Sequence, residues 1–152
     1  METIKTMESP EQILAEHRFL KDLEPRYLQF MAECASERHF AAGEYILQEG
    51  EAANHLYLLN HGKVALGTLI PNRGFTTIET LGAGEALGWS WFIPPYHWHF
   101  TALTILPTWV IALDGKRLRE KCEADHDFGY ELLKRLALIV GQRLRMTRMR
   151  LG

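Results

Sequence analysis

Hydrophobic and polar positions change rhythm twice along the chain. Over residues 11–36 apolar side chains recur three and four apart, as at Tyr27, Leu28, Phe30, Met31 and Cys34, the period of a helix packed on one side. Ser9-Pro10-Glu11-Gln12 supplies an N-cap, a first-turn proline and a polar follow-on, and Pro25 opens a second helix. From His39 to Asp114 the pattern becomes short alternating runs cut by glycine. Eight strands are predicted: Arg38–Ala41, Tyr45–Gln48, His55–Asn60, Lys63–Ile70, Phe75–Leu81, Glu85–Leu87, Phe100–Ile105 and Trp109–Leu113. The breaks fall at Gly43, Gly50, Asn60-His61-Gly62, Pro71-Asn72-Arg73-Gly74, Gly82-Ala83-Gly84, Pro94-Pro95 and Pro107. No helical run separates successive strands, which disfavours a parallel βαβ sheet and points to a sandwich, jelly roll or small barrel.

Helical periodicity returns over 115–124 and again from Asp125 to Leu151. The second run carries Phe128, Leu132, Leu133, Leu136, Ile139, Val140, Leu144 and Met146, more apolar positions than one packed face needs. A homodimer through parallel pairing of this helix is expected, burying Leu132, Leu136, Ile139 and their neighbours. The expected organisation is a single domain over 1–152, with helices in 1–36, a β roll in 37–114 and helices in 115–151.

Composition narrows the class. The chain has 152 residues, 47% of them hydrophobic and 24% charged, enough for one domain with a sizeable core and too apolar for disorder as its main state. No apolar run is long enough to cross a bilayer, and Met1-Glu2-Thr3-Ile4-Lys5 lacks the apolar stretch of a secretory signal. Cys34 and Cys122 are too few for a disulfide framework. A cytoplasmic protein with reduced thiols is expected. The net charge of −2 hides a segment of +4 from Asp127 onward, against −6 elsewhere. A basic tail suits nucleic acid or an acidic lipid surface, but cations near a helix C-terminus also complement its dipole, and that reading is preferred.

Catalytic motifs are sparse. There is no phosphate-binding Walker loop, no Gly-x-Ser-x-Gly and no His-Glu-x-x-His. One spacing resembles a metal site: His97-x-His99 on a strand would place two imidazoles on one face, as in cupin-type jelly-roll enzymes. No Glu follows until Glu120, so structural or ligand-contacting histidines are the favoured reading and no metal is expected. The segment from Leu87 to Phe100 holds three of the four tryptophans. Such density beside Gly88 and Pro94-Pro95 fits a pocket wall as well as a core, with Ser90 as a polar point.

Several strings in fixed order carry a family resemblance: His17-Arg18-Phe19-Leu20, Phe40-Ala41-Ala42-Gly43-Glu44-Tyr45-Ile46, Glu49-Gly50, Leu56 to Val64, and Leu81-Gly82-Ala83-Gly84-Glu85-Ala86-Leu87-Gly88. With its turn glycines so spaced, the chain resembles a cyclic-nucleotide-binding domain of the cyclic-AMP receptor protein type over roughly residues 17–150. The resemblance implies a mainly β fold: an eight-stranded double-stranded β-helix jelly roll, flanked by N-terminal helices and a long C-terminal helix. It also implies a regulatory role in signal transduction rather than catalysis. The effector would lie between the Gly88 region and the long helix, where Thr147 matches a hydroxyl that reads the purine in the receptor protein.

The departures from that family's pattern concern the charged groups. Its phosphate-binding cassette reads Phe-Gly-Glu, an apolar stretch, then Arg-Ser/Thr-Ala; the Glu holds the ribose and the Arg the cyclic phosphate. Here Trp89 follows Gly88, and the Arg position falls within Trp98, His99 and Phe100. Only the small tail, Phe100-Thr101-Ala102, is kept. The expected site is therefore Gly88, Trp89, Ser90, Trp91, His99, Phe100, Thr101, Ala102 and Thr147, taking a small effector and binding cyclic AMP weakly if at all. A protonated His99 could partly replace the guanidinium. The chain stops at Gly152, where the family's helix-turn-helix would begin, so a receiver without its own DNA-binding domain is expected, acting on an unknown downstream protein. The alternatives are a cupin-like metal enzyme using His97 and His99, and a ligand-free interaction scaffold.

Overall fold

The computed structural model describes residues 9–151; the Met1–Lys5 stretch read above for a signal lies outside them. Helices α1 (Pro10–Glu16) and α2 (Pro25–Glu33) flank a 3-10 turn at Arg18–Leu20. Strands β1 (Ala35–Phe40), β2 (Tyr45–Leu47), β3 (His55–His61), β4 (Lys63–Ile70), β5 (Gly74–Gly82), β6 (Ala86–Leu87), β7 (Thr101–Thr104) and β8 (Thr108–Asp114) follow, and then α3 (Gly115–Ala124) and α4 (His126–Leu151). The helix starts follow the sequence signals. Ser9 and Gln12 form a reciprocal capping box before Pro10, and Asp114 Oδ1 accepts from the N–H groups of Lys116 and Arg117.

The strands form two antiparallel sheets, ordered β1-β8-β3-β6 and β2-β7-β4-β5, the jelly roll expected from the alternating runs. Between them lies the core: Leu56 and Leu58 of β3, Val64 and Leu66 of β4, Ala102 of β7, and Val110 to Leu113 of β8. β3 and β8 are buried on both faces, which explains why they read as continuous apolar runs. The second face is covered by helices, where Phe128 of α4 meets Tyr27 and Phe30 of α2 edge-on at 5.1 and 5.8 Å.

Two expectations change. The N-terminal helical segment does not run to residue 36: β1 begins at Ala35, because Ala35 and Ser36 pair with Leu113 and Ala112 of β8. The ladder to the neighbouring strand overrides the weak local preference of these two residues. Two of the side chains expected at a dimer seam are instead used inside the domain. Leu132 and Leu136 are each only 2% exposed, buried in their own domain with Phe128. A different row, Tyr130, Leu133, Ala137, Val140, Leu144 and Leu151, is exposed and follows a three-four spacing roughly 100° round the helix from the buried row.

The basic tail is used within the fold as well. The Arg135 guanidinium donates to the carbonyls of Phe19 and Lys21 at 3.0 and 2.7 Å, and Arg143 pairs with Glu79. These side chains tie α4 to the domain, a role that the dipole argument did not include.

Candidate functional site

Gly88 follows β6 and turns the chain into the aromatic segment with φ +101°. A Cβ at this position would stand 2.4 Å from the Trp98 ring, so only glycine lets the backbone lie on that indole. The chain then makes a tight irregular excursion before rejoining β7. Trp91 is fully buried, and its indole N–H donates to the Gly88 carbonyl at 3.0 Å. Arg119 of α3 donates to the Trp91 carbonyl at 2.5 Å and stacks on the Tyr96 ring. The excursion is thus pinned from below by core contacts and from the side by a helix.

On its inner side lies a cavity of about 20 Å³, room for one water-sized guest. Its walls are Gly88, Trp89, Ser90, Trp98, His99 and Phe100 of the excursion, Leu47, Leu66 and Leu87 of three strands, and Arg143 of α4. The Trp89 indole lies parallel to the His99 ring, with centroids 6.1 Å apart, and meets Phe100 edge-on at 5.9 Å. Ser90 Oγ and His99 Nδ1 are 3.0 Å apart, and Ser90 is buried while His99 is exposed. His99 and Trp89 therefore stand at the mouth and Ser90 inside.

Arg143 is the single lining residue with a permanent charge among the described residues. Its guanidinium pairs with Glu79 of β5, which also accepts from the Gln142 amide. The two charged side chains are 5% and 6% exposed. The Nε–H of Arg143 is buried and meets no hydrogen-bond acceptor.

Of the residues expected from sequence, Gly88, Trp89, Ser90, His99 and Phe100 come together around this cavity. Trp91, Thr101, Ala102 and Thr147 are not among its walls. Trp91 and Ala102 lie in the core, the Thr101 hydroxyl accepts from the Glu49 N–H at 3.0 Å, and the Thr147 hydroxyl donates to the Arg143 carbonyl at 2.7 Å. Leu47 and Leu66 are not expected there, Leu87 and Trp98 belong to the aromatic segment read as a pocket wall, and Arg143 is not singled out as a wall residue. For Arg143 a signal existed: it continues the buried row Phe128, Leu132, Leu136 at helical spacing, where an arginine needs a buried partner.

His97 and His99 line different cavities. The segment is not a regular strand, and only His97 makes an isolated bridge, with Ala52. His97 lines a separate groove of about 480 Å³ with Tyr96, Asn54 and Arg119. Among the described residues no group of three His, Cys, Asp or Glu side chains is placed to share a metal. No described helix is long and apolar enough to cross a membrane.

Comparison with known proteins agrees with this architecture. Residues 37–125 match the family model described as cyclic nucleotide-binding domain. A solved Geobacter metallireducens protein of the cyclic-nucleotide-binding kind is similar at 32% identity and TM-score 0.79, over 91% of this chain and 99% of that one. Human cGMP-dependent protein kinase 2 is 37% identical over 51 residues, which is 34% of this chain and 7% of the kinase. The CRP-like cAMP-activated global transcriptional regulator of Mycobacterium tuberculosis is 25% identical over 137 residues, 90% of this chain and 59% of that protein.

Proposed function

Because this chain belongs to the cyclic-nucleotide-binding domain family, we propose that it is a regulatory sensor module in signal transduction, which takes a small effector in the jelly-roll pocket and acts by binding, not by catalysis. One observation carries this reading. The cavity beside Gly88 is walled by aromatic rings, three leucines, the Ser90 hydroxyl and Arg143 of α4, and the segment from Gly88 to Phe100 contributes neither carboxylate nor guanidinium to it. Trp89 stands where the family's ribose-binding Glu would be; an indole has one N–H donor and no acceptor, so it cannot accept from a ribose hydroxyl. The bidentate fork that matches a cyclic phosphate is missing from Trp98, His99 and Phe100. Losing one partner of a buried charged contact costs about 2–5 kcal/mol, roughly 30-fold to several thousand-fold in affinity. Two such losses leave cyclic AMP a weak ligand.

The module works as a homodimer on this reading. The exposed row Tyr130, Leu133, Ala137, Val140 and Leu144 has the three-four spacing of a two-helix seam. An effector beside Arg143 would reach the same helix from its other face. A thermal-shift screen of small metabolites tests the proposal. A compound bound only by the native state raises the transition temperature, and the rise disappears when Ser90 and Trp89 are replaced. The smallness of the cavity supports a second reading, a ligand-free interaction scaffold, in which no compound raises the transition.

A further inference from the structure

We propose that the groove beside His97 is a second ligand site, which takes a small phosphate monoester. The inference goes beyond the effector-pocket reading and does not rest on it. The groove has a volume of about 480 Å³, enough for a small organic molecule, whereas the cavity beside Gly88 has room for one water. Three stretches of chain wall it: residues 52–55 leading into β3, Pro95 to His97 of the excursion, and Asp114 to Arg119 where β8 passes into α3.

Backbone hydrogen bonds lock these walls together. The Ala53 N–H donates to the Tyr96 carbonyl and the Gly115 N–H to the Asn54 carbonyl, each at 2.8 Å, and Ala52 bridges to His97. The frame holds Tyr96 at φ +60°, a left-handed conformation that side chains disfavour. Such a conformation persists where its surroundings over-determine it, and it clusters at ligand clamps. Arg119 adds a brace, donating to the Trp91 carbonyl while its guanidinium lies 4.2 Å from the centre of the Tyr96 ring. A guest therefore meets walls already in place and has little ordering to offset.

Those walls are rich in donors. Among the described residues, the side chains of Asn54, His97 and Lys116 have no hydrogen-bond or ion-pair partner within the protein. Lys116 and Arg119 are cations, and Asp114 is the one carboxylate of the lining. Its Oδ1 is committed to the N–H groups of Lys116 and Arg117. Arg38 brings a further positive charge to the edge, donating to His55 Nε2 at 3.2 Å, so that the Nδ1–H of that ring is a donor as well.

This donor set selects the guest. A cation would face Lys116 and Arg119. A carboxylate has two oxygens in one plane, a match for a single guanidinium fork. A phosphate monoester carries close to two negative charges and three acceptor oxygens in a tetrahedral array. It can be met from three walls at once, by Lys116 and Arg119 of α3, His97 of the excursion and Asn54 before β3. Ala52 and Pro95 leave apolar contact for a small organic body.

Glycerol 3-phosphate is the probe, and glycolate, a small hydroxylated carboxylate, is the control at equal ionic strength. Each is titrated into the ¹⁵N-labelled full chain by NMR at a pH of about 7.5, where the monoester is mostly dianionic. Glycerol 3-phosphate is expected to give saturable shifts at the amides of Asn54, Tyr96, His97 and Lys116, and glycolate none that saturate. Lys116→Glu changes an exposed side chain and leaves the rest of the spectrum in place. It is expected to weaken the phosphate about tenfold or more. Equal saturation by glycolate, indifference to Lys116→Glu, or no shift at these amides overturns the inference. Shifts confined to Gly88, Trp89 and Ser90 overturn it too, and leave the effector pocket standing. The effector-pocket reading fails separately, in the thermal-shift screen and its Ser90 and Trp89 variants.

Discussion

Arg143 of the long helix and Glu79 of β5 form an ion pair closed to solvent on both sides, 64 residues apart in sequence. Gln142 holds the second carboxylate oxygen, so two consecutive residues of α4 clasp one acidic side chain of the roll. The clasp fixes the helix against the strand beside the cavity.

Removing one member of this pair strands the other charge in the interior. Glu79→Leu and Arg143→Met are each expected to destabilise the fold by about 3–5 kcal/mol. The double substitution restores most of that loss, because two apolar groups need no solvation. Urea denaturation of the wild type, both single variants and the double variant measures the coupling. Additive losses would show that the pair contributes no mutual stabilisation.

Gly88→Ala brings a methyl group against the Trp98 ring at a backbone conformation that side chains disfavour. A loss of about 1–3 kcal/mol in denaturant stability is expected, with a changed indole fluorescence from the displaced ring. Gly43→Ala, where the φ is also positive but no atom lies within 4 Å of the added Cβ, is the milder control.

His17 gives the fold a pH dependence. Burial pushes its pKa below the usual 6.5, while its Nε2–H donates to the Leu59 carbonyl at 2.8 Å and its Nδ1 accepts from the Phe19 N–H. The unfolded chain therefore binds the proton more readily than the folded one. The neutral ring's stabilising contribution is complete above about pH 6.5 and diminishes as pH falls toward the folded-state pKa. Equilibrium denaturation across this range should show stability rising with pH, and His17→Gln should flatten the slope.

The dimer seam predicted from the exposed row is tested by charge. Val140→Lys and Leu144→Lys face solvent within one protomer, at 40% and 69% exposure, so they leave the monomer fold intact. Light scattering is expected to change from dimer to monomer in the double variant. A wild-type chain that is monomeric at tens of micromolar would remove the seam.

Much of the fold is legible in the sequence because turn chemistry and strand alternation agree. Lys63–Ile70 is a strand with the bounds that its alternation gives, and the glycines at 43, 50, 62, 74 and 84 all stand at positive φ in the turns they mark. The aromatic half of the site is equally legible, since Gly88, Trp89, Ser90, His99 and Phe100 are near neighbours in the chain. The charged half is not. Glu79 and Arg143 meet only because β5 and α4 are brought together by tertiary packing, and neither has a local spacing that points to the other. The spacing of His97 and His99 carries little, because the i, i+2 rule holds on a regular strand and His97 makes only an isolated bridge, with Ala52.

Calorimetry with cyclic AMP and cyclic GMP at near-neutral pH reads out whether this pocket has exchanged the family's charged contacts for aromatic walls and one internally neutralised arginine. Neither nucleotide is expected to give a binding isotherm in the micromolar range. Micromolar or tighter binding of either cyclic nucleotide, lost on replacing the pocket residues Ser90 and Arg143, would contradict the account.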